Sequence, residues 1–177
     1  MQSHHLKLAK KYWAEHLSPG DVVIDATCGN GHDTLFLCTL SCQVYSLDIQ
    51  KQALEMAKLL GSSATFFHIS HVLIHEIPVP NPPRLIVYNL GYLPGGDKSI
   101  TTKSETTLQS IQESLKILAP RGALSITCYP GHEEGYREEQ KVIEFLCSLS
   151  PRQWKICQHK YINKPKSPIF IWVENID

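Results

Sequence analysis

Apolar and polar positions in this chain alternate between two rhythms. Leu6, Ala9, Tyr12, Trp13 and Leu17 recur near helical spacing with lysines between them, which predicts a helix over residues 3–16. Ser18-Pro19-Gly20-Asp21 is a turn, and Val22 to Ala26 is a β-branched run that predicts a first strand. A helix is expected from about His32 to Leu40, a second strand from Gln43 to Asp48, and a helix from Ile49 to Leu60 closed by Gly61. Ala64 to His68 is a short third strand followed by a weak helical turn after His71. Beyond the Asn81-Pro82-Pro83 loop, Leu85-Ile86-Val87-Tyr88 is apolar throughout, as a strand covered on both faces should be. A helix is predicted from Ser104, read as its cap, to Leu118, and a fifth strand over Ala123–Tyr129. Pro130–Gly135 reads as a polar loop, residues 136–149 as a helix, and about 153–162 and 168–174 as two final strands.

Strands alternating with helices and then two consecutive strands imply an α/β fold: a Rossmann-like, seven-stranded, mostly parallel sheet with an antiparallel C-terminal hairpin. With 177 residues and no repeat, the chain is expected to form one domain, an N-terminal helix (1–17) followed by the core (18–177).

Composition narrows the class. Hydrophobic content of 42% with 19% charged residues is that of an ordinary globular protein, and no apolar run reaches the ~20 residues of a membrane span. The first residues lack a signal-peptide core, and the six cysteines contain no C-x-x-C pair. Buried free thiols, a cytoplasmic location, and neither membrane nor metal partner are therefore expected. The formal net charge is zero, against a nonspecific nucleic-acid coat, but Arg152, Lys155, Lys160, Lys164 and Lys166 lie between Pro151 and Val173 with no acid among them. That cluster suits either a phosphate backbone or a lysine-guarded sheet edge.

Ligands in open α/β sheets gather beyond the carboxyl ends of the strands. The first such end, Asp25-Ala26-Thr27-Cys28-Gly29-Asn30-Gly31, is a glycine turn entering a helix, yet it has no Gly-Lys-Ser/Thr and Thr34 replaces a third glycine. An acid at Asp25 disfavours a pyrophosphate, so a ribose-bearing cationic or zwitterionic ligand fits better, S-adenosylmethionine foremost. Asp48 falls about 20 residues further on, where a carboxylate grips a ribose diol. The expected cofactor set is Asp25, Cys28, Gly29, Asn30, Gly31, Asp48, Ile49, Gln50, Ser70, His71 and Asn89, with Cys28 and Asn30 at the methionine end. His32 and Asp33 read as first-turn helix residues favoured by the dipole.

Asn89-Leu90-Gly91-Tyr92 resembles the Asn-Pro-Pro-Tyr box of amino-group methyltransferases, in which an amide oxygen and a strand-end carbonyl hold an amine and a ring covers the substrate. Asn89, Tyr92, Tyr129 and His132 are the catalytic candidates, with Tyr129, His132 and Asp97 as groups able to take or relay a proton. Leu90, Gly91, Tyr92, Gly95, Gly96, Asp97 and Lys98 are the expected substrate-side residues.

The segments Asp25–Leu37, Asp48–Gln50, Asn89–Ser99 and Gly131–Gly135 resemble the family once labelled rRNA methylase, whose members are now associated with tRNA 5-aminomethyl-2-thiouridine methyltransferase (MnmM type). The similarity runs from about residue 18 to the C-terminus. It implies a class I S-adenosylmethionine-dependent methyltransferase that methylates the amine of 5-aminomethyl-(2-thio)uridine at the tRNA wobble position, acting on the anticodon region as a homodimer. One departure is Tyr129-Pro130-Gly131, where the family pattern is Tyr-His-Gly, so a role for that histidine does not transfer. The residues alone also leave open methylation of rRNA or of a small-molecule amine, or cofactor binding without catalysis.

Overall fold

A computed structural model describes residues 3–93, 95–97 and 99–177. Among these residues seven strands form one sheet in the order β3-β2-β1-β4-β5-β7-β6. Strands β1 (Val22–Asp25), β2 (Gln43–Leu47), β3 (Thr65–Phe67), β4 (Leu85–Asn89) and β5 (Ala123–Cys128) pair in parallel. The hairpin of β6 (Trp154–His159) and β7 (Ile169–Asn175) closes the sheet, and β7 runs antiparallel to both β5 and β6. The hairpin therefore inserts its second strand and leaves β6 at the edge.

Period-2 alternation sorts the strand residues onto two faces. Val23, Leu85, Val87 and Phe170 pack under α1 (His4–His16) and α2 (His32–Thr39), while Ile24, Ile86, Tyr88 and Ile126 meet α4 (Ser104–Ile117) and α5 (Glu133–Cys147) on the other side. Between them α3 (Lys51–Leu59) buries Leu54 and Ala57 beside Cys28, and a 3₁₀ turn spans His71–Glu76. Helix α1 is fixed by Trp13, which is 1% exposed and donates its indole N–H to Ser125 Oγ at 2.8 Å. Loss of so large a buried side chain typically costs about 3–5 kcal/mol. So anchored, the helix carries Leu6 and Lys10 to the carboxyl ends of the strands.

Two element boundaries differ from expectation for physical reasons. Ser104 does not cap α4; Lys103 occupies the cap position, and Ser104 is a buried first-turn residue whose N–H points to Glu134 Oε1 at 3.5 Å. Helix α5 starts at Glu133 because His132 caps it, its Nδ1 accepting the Gly135 N–H at 3.1 Å. Gly135 is thus a close-packing glycine within the helix, where a Cβ would collide with the Tyr129 carbonyl oxygen. Of the cysteines, Cys28, Cys42 and Cys128 are buried, but Cys147 and Cys157 are exposed, the latter because β6 is the edge strand.

Candidate active site

The strand order reverses between β1 and β4: β1 continues outward to β2 and β3, β4 to the opposite half. Crossovers leaving in opposite directions open a crevice at the carboxyl ends of these two strands. A cavity of about 990 Å³ occupies it, at the upper end of the range for small-molecule sites.

The first wall is the turn after β1. Gly29 has φ +52° and donates its N–H to Asp48 Oδ2 at 2.8 Å, while Asp48 Oδ1 accepts the Gln50 N–H at 2.8 Å. Each Asp48 oxygen retains lone-pair capacity, and the residue lines the cavity. Gly31 answers a different demand. At φ +78° it packs on α3, and a Cβ would come within 2.5 Å of Ala57 Cβ. Cys28, Asn30, Ile49, Gln50, Ser70 and His71 also line this half. Burial pushes His71 down to about 4, so it is a neutral edge in contact with Tyr88.

Asp25 is a correction to the expected set. It is fully buried and does not line the cavity; its carboxylate accepts from Thr34 Oγ1 at 2.6 Å and the Thr27 N–H at 3.3 Å, bracing the turn from beneath. Burial raises its pKa to about 7.

The second wall is β4's end. Asn89 donates Nδ2 to Asp33 Oδ2 at 2.6 Å, and Asp33 Oδ1 is 3.1 Å from Lys10 Nζ. A carboxylate only accepts, so the amide NH₂ must face Asp33 and Oδ1 is left for another partner. Gly91 (φ +117°) is clamped by Thr102, whose hydroxyl accepts the Gly91 N–H at 2.7 Å and donates to buried Glu138 at 2.8 Å. Leu90, Gly91 and Tyr92 line the cavity, and Tyr92 bridges to Thr101.

Tyr129 and His132 line the cavity too, yet neither is placed to take a proton. Burial pushes the Tyr129 phenol up to about 12, and its hydroxyl pairs with His5 Nε2 at 3.1 Å. His132 spends Nδ1 on the α5 cap, and its Nε2 is sealed from solvent without a partner among the described residues. Gly95, Gly96 and Asp97 are exposed and outside the cavity lining; Asp97 accepts the Ser99 N–H at 2.8 Å. Lys98 lies outside the described residues. Residues that pattern reading misses are Lys10 from α1, Asp33, the Ile100–Lys103 stretch, and Lys166 with Pro168.

The residues present fit an adenosyl sulfonium. An acid at the end of β2 faces the cavity, and the glycine turn carries no phosphate-binding cation. A doubly wound sheet of this order, with a glycine turn on β1 and an acid on β2, defines a class I methyltransferase.

Comparison with known proteins sharpens the class. The family model described as "Putative rRNA methylase" matches residues 44–174. A relative from Arabidopsis thaliana, tRNA (mnm(5)s(2)U34)-methyltransferase, chloroplastic, is 38% identical over 186 residues, covering 94% of this chain and 68% of the relative. The crystal structure of a "putative rRNA-methylase" from Clostridium thermocellum superposes with TM-score 0.92 at 31% identity, over 99% of this chain and 100% of that one. A "putative methyltransferase" from Streptococcus mutans, solved with SAH, has TM-score 0.87 at 29% identity over 99% of both chains. The chain belongs to the rRNA methylase family, and it is a methyltransferase.

Proposed function

We propose that this protein transfers a methyl group from S-adenosylmethionine to the amine of 5-aminomethyl-(2-thio)uridine at the wobble position of tRNA. The observation carrying this reading is the 38% identity to a tRNA (mnm(5)s(2)U34)-methyltransferase across 94% of the chain. The Asn89 geometry supports it. When bound, the cofactor supplies an electrophilic methyl on a sulfonium sulfur.

The protein's own part is positioning. Asp48 offers acceptors to a ribose diol, and the Gly29 turn backs the methionine end. Asn89 Oδ1 accepts an N–H of the substrate amine, turning its lone pair away from the amide and toward the transferable methyl. Asp33 polarises the Asn89 amide through a charge-assisted bond and so strengthens that acceptor. Tyr92 is the aromatic cover for the base. With Tyr129 held protonated and His132 tied to its helix, the amine enters unprotonated and its surplus proton leaves to solvent.

The reading extends to the anticodon region of tRNA as partner and to two copies of the chain acting in the cytoplasm; sedimentation analysis tests the copy number. No described helix is long and apolar enough to cross a membrane. Methylation of tRNA bearing 5-aminomethyluridine, followed by nucleoside mass spectrometry, tests the activity. Equal turnover of the free nucleoside would favour a small-molecule amine methyltransferase, which the zero net charge also suits.

A further inference from the structure

The five cations between Pro151 and Val173 stand in a molecule of zero net charge, and no acid interrupts them. The chain leaving β6 passes the carboxyl ends of the sheet, and there Lys166 and Pro168 join the lining of the main cavity. A second pocket of about 270 Å³ shares Pro168 with it and is walled by His4, His159, Lys160, Tyr161 and Phe170. Its walls are largely aromatic. His159 stacks on Phe170 with centroids 5.6 Å apart and is held by the Tyr12 hydroxyl at 2.8 Å. The His4 and Tyr161 rings lie 5.9 Å apart, Lys164 Nζ is 5.6 Å from the Tyr161 ring, and Tyr161 is 44% exposed.

What separates the two spaces is thin. His5 lines the second pocket, Tyr129 lines the main cavity, and the two side chains are joined by a single hydrogen bond of 3.1 Å. The two spaces are therefore neighbours, sharing Pro168 and parted by one side-chain pair. Aromatic walls next to exposed lysines are what an unstacked nucleotide requires: a face for the base and charge for its phosphates. Lys164 stands over the Tyr161 ring and Lys166 lines the main cavity, so each space has a cation beside it.

We propose that the second pocket receives the base of a nucleotide adjacent to the one methylated, stacked against Tyr161 and His4, with Lys164 and Lys166 on the flanking phosphates. The partner is single-stranded or loop RNA, because a base within a duplex has no free face to offer. The inference rests on the reading of the substrate as an RNA loop.

The test uses the full-length protein, its Tyr161→Ala and Lys164→Ala variants, and three RNA probes. These are an anticodon stem-loop, the same stem-loop with an abasic residue beside the wobble position, and a duplex of equal length. Fluorescence anisotropy reads binding, with SAH affinity measured alongside. Tyr161→Ala should weaken stem-loop binding by about five- to tenfold, the lower part of the range for one base–aromatic stack. The abasic probe should show the same loss, the two losses should not add, and SAH binding should be unchanged. Lys164→Ala should lower the slope of log affinity against log salt by about one. Stem-loop binding unaltered by Tyr161→Ala, additive losses, or a duplex bound as tightly would overturn the pocket even with methylation intact. So would conversion of a dimer to a monomer by Tyr161→Ala, which would mark this face as a contact between copies. If no RNA is bound or methylated by the wild-type protein, the functional reading falls as well.

Discussion

Removing the Asp33 carboxylate should slow methyl transfer without unfolding the protein. Asp33 links Lys10 on α1 at 3.1 Å to the Asn89 amide on β4 at 2.6 Å. Its side chain is only 13% exposed and that of Lys10 17%, so the pair is poorly screened. A hydrogen bond to a charged group is worth about 1.5–3 kcal/mol, and at 1.4 kcal/mol per factor of ten the Asp33→Ala enzyme should lose roughly 10- to 100-fold in kcat. With Asn89 in its proposed role as holder of the acceptor amine, the loss belongs in kcat and SAH affinity should move less than threefold. Asp33→Asn keeps an oxygen for the Asn89 NH₂ and should recover part of the rate, while Lys10→Met should cost less than Asp33→Ala. Steady-state kinetics with tRNA and cofactor each varied, plus calorimetric SAH binding, separates these effects. An Asp33→Ala enzyme with kcat within twofold of wild type would refute the orienting role, as would a loss confined to cofactor affinity.

Other expectations follow from the same geometry. Gly31→Ala places a Cβ 2.5 Å from Ala57 Cβ at a φ of +78°, so it should destabilise by about 2–4 kcal/mol and lower Tm by roughly 5–15 °C; Ala57→Gly in the same chain should restore part of that in thermal melts. Asp48→Asn can still accept from the Gly29 and Gln50 amides through one oxygen at most, and its lost charge should weaken SAH binding by about tenfold in titration calorimetry. Asp25 has a folded pKa raised to about 7 by burial, so relative to Asp25→Asn the wild type should be most stable below pH ~4 and lose that advantage as pH rises through ~7; urea melts across that window would show a flat difference if the carboxyl were not buried. Tyr129→Phe should retain most of its kcat at neutral pH, because a phenol pushed up to about 12 is not the base, and a loss beyond about 100-fold would return it to the chemistry.

The parts of the site legible in sequence are those where local chain grammar and ligand position coincide. Asp48 is readable because a strand-end acid after a glycine turn has few other uses; one of its oxygens braces the glycine turn through Gly29 and the other holds its own loop through Gln50. Asn89–Tyr92 is readable because an apolar strand ends abruptly in polar and glycine residues. Asp25 misleads, since the strand pattern cannot say whether the last residue points into the crevice or beneath it; Thr34 and Thr27 capture it below. Asp33 is hidden by the helix dipole, which makes an acid in a first turn unremarkable, while its partner Asn89 lies 56 residues away. His132 looks like a loop histidine because Gly135 imitates a loop, when that glycine is there to let α5 approach the Tyr129 carbonyl. Lys10 and Lys166 reach the cavity only through long-range packing, of α1 by way of Trp13 and of the β6–β7 connection.

If Asn89 and the Asp48 turn assemble a methyl-transfer site for an amine on the wobble uridine, the purified protein must modify that base. The most direct measurement incubates the purified protein with S-adenosylmethionine and tRNA carrying 5-aminomethyl-2-thiouridine, then digests the tRNA and weighs its nucleosides. Conversion to a nucleoside heavier by one CH₂, lost in Asn89→Ala while SAH still binds, is the predicted result. An unchanged wobble nucleoside with a wild-type protein that binds SAH would contradict it.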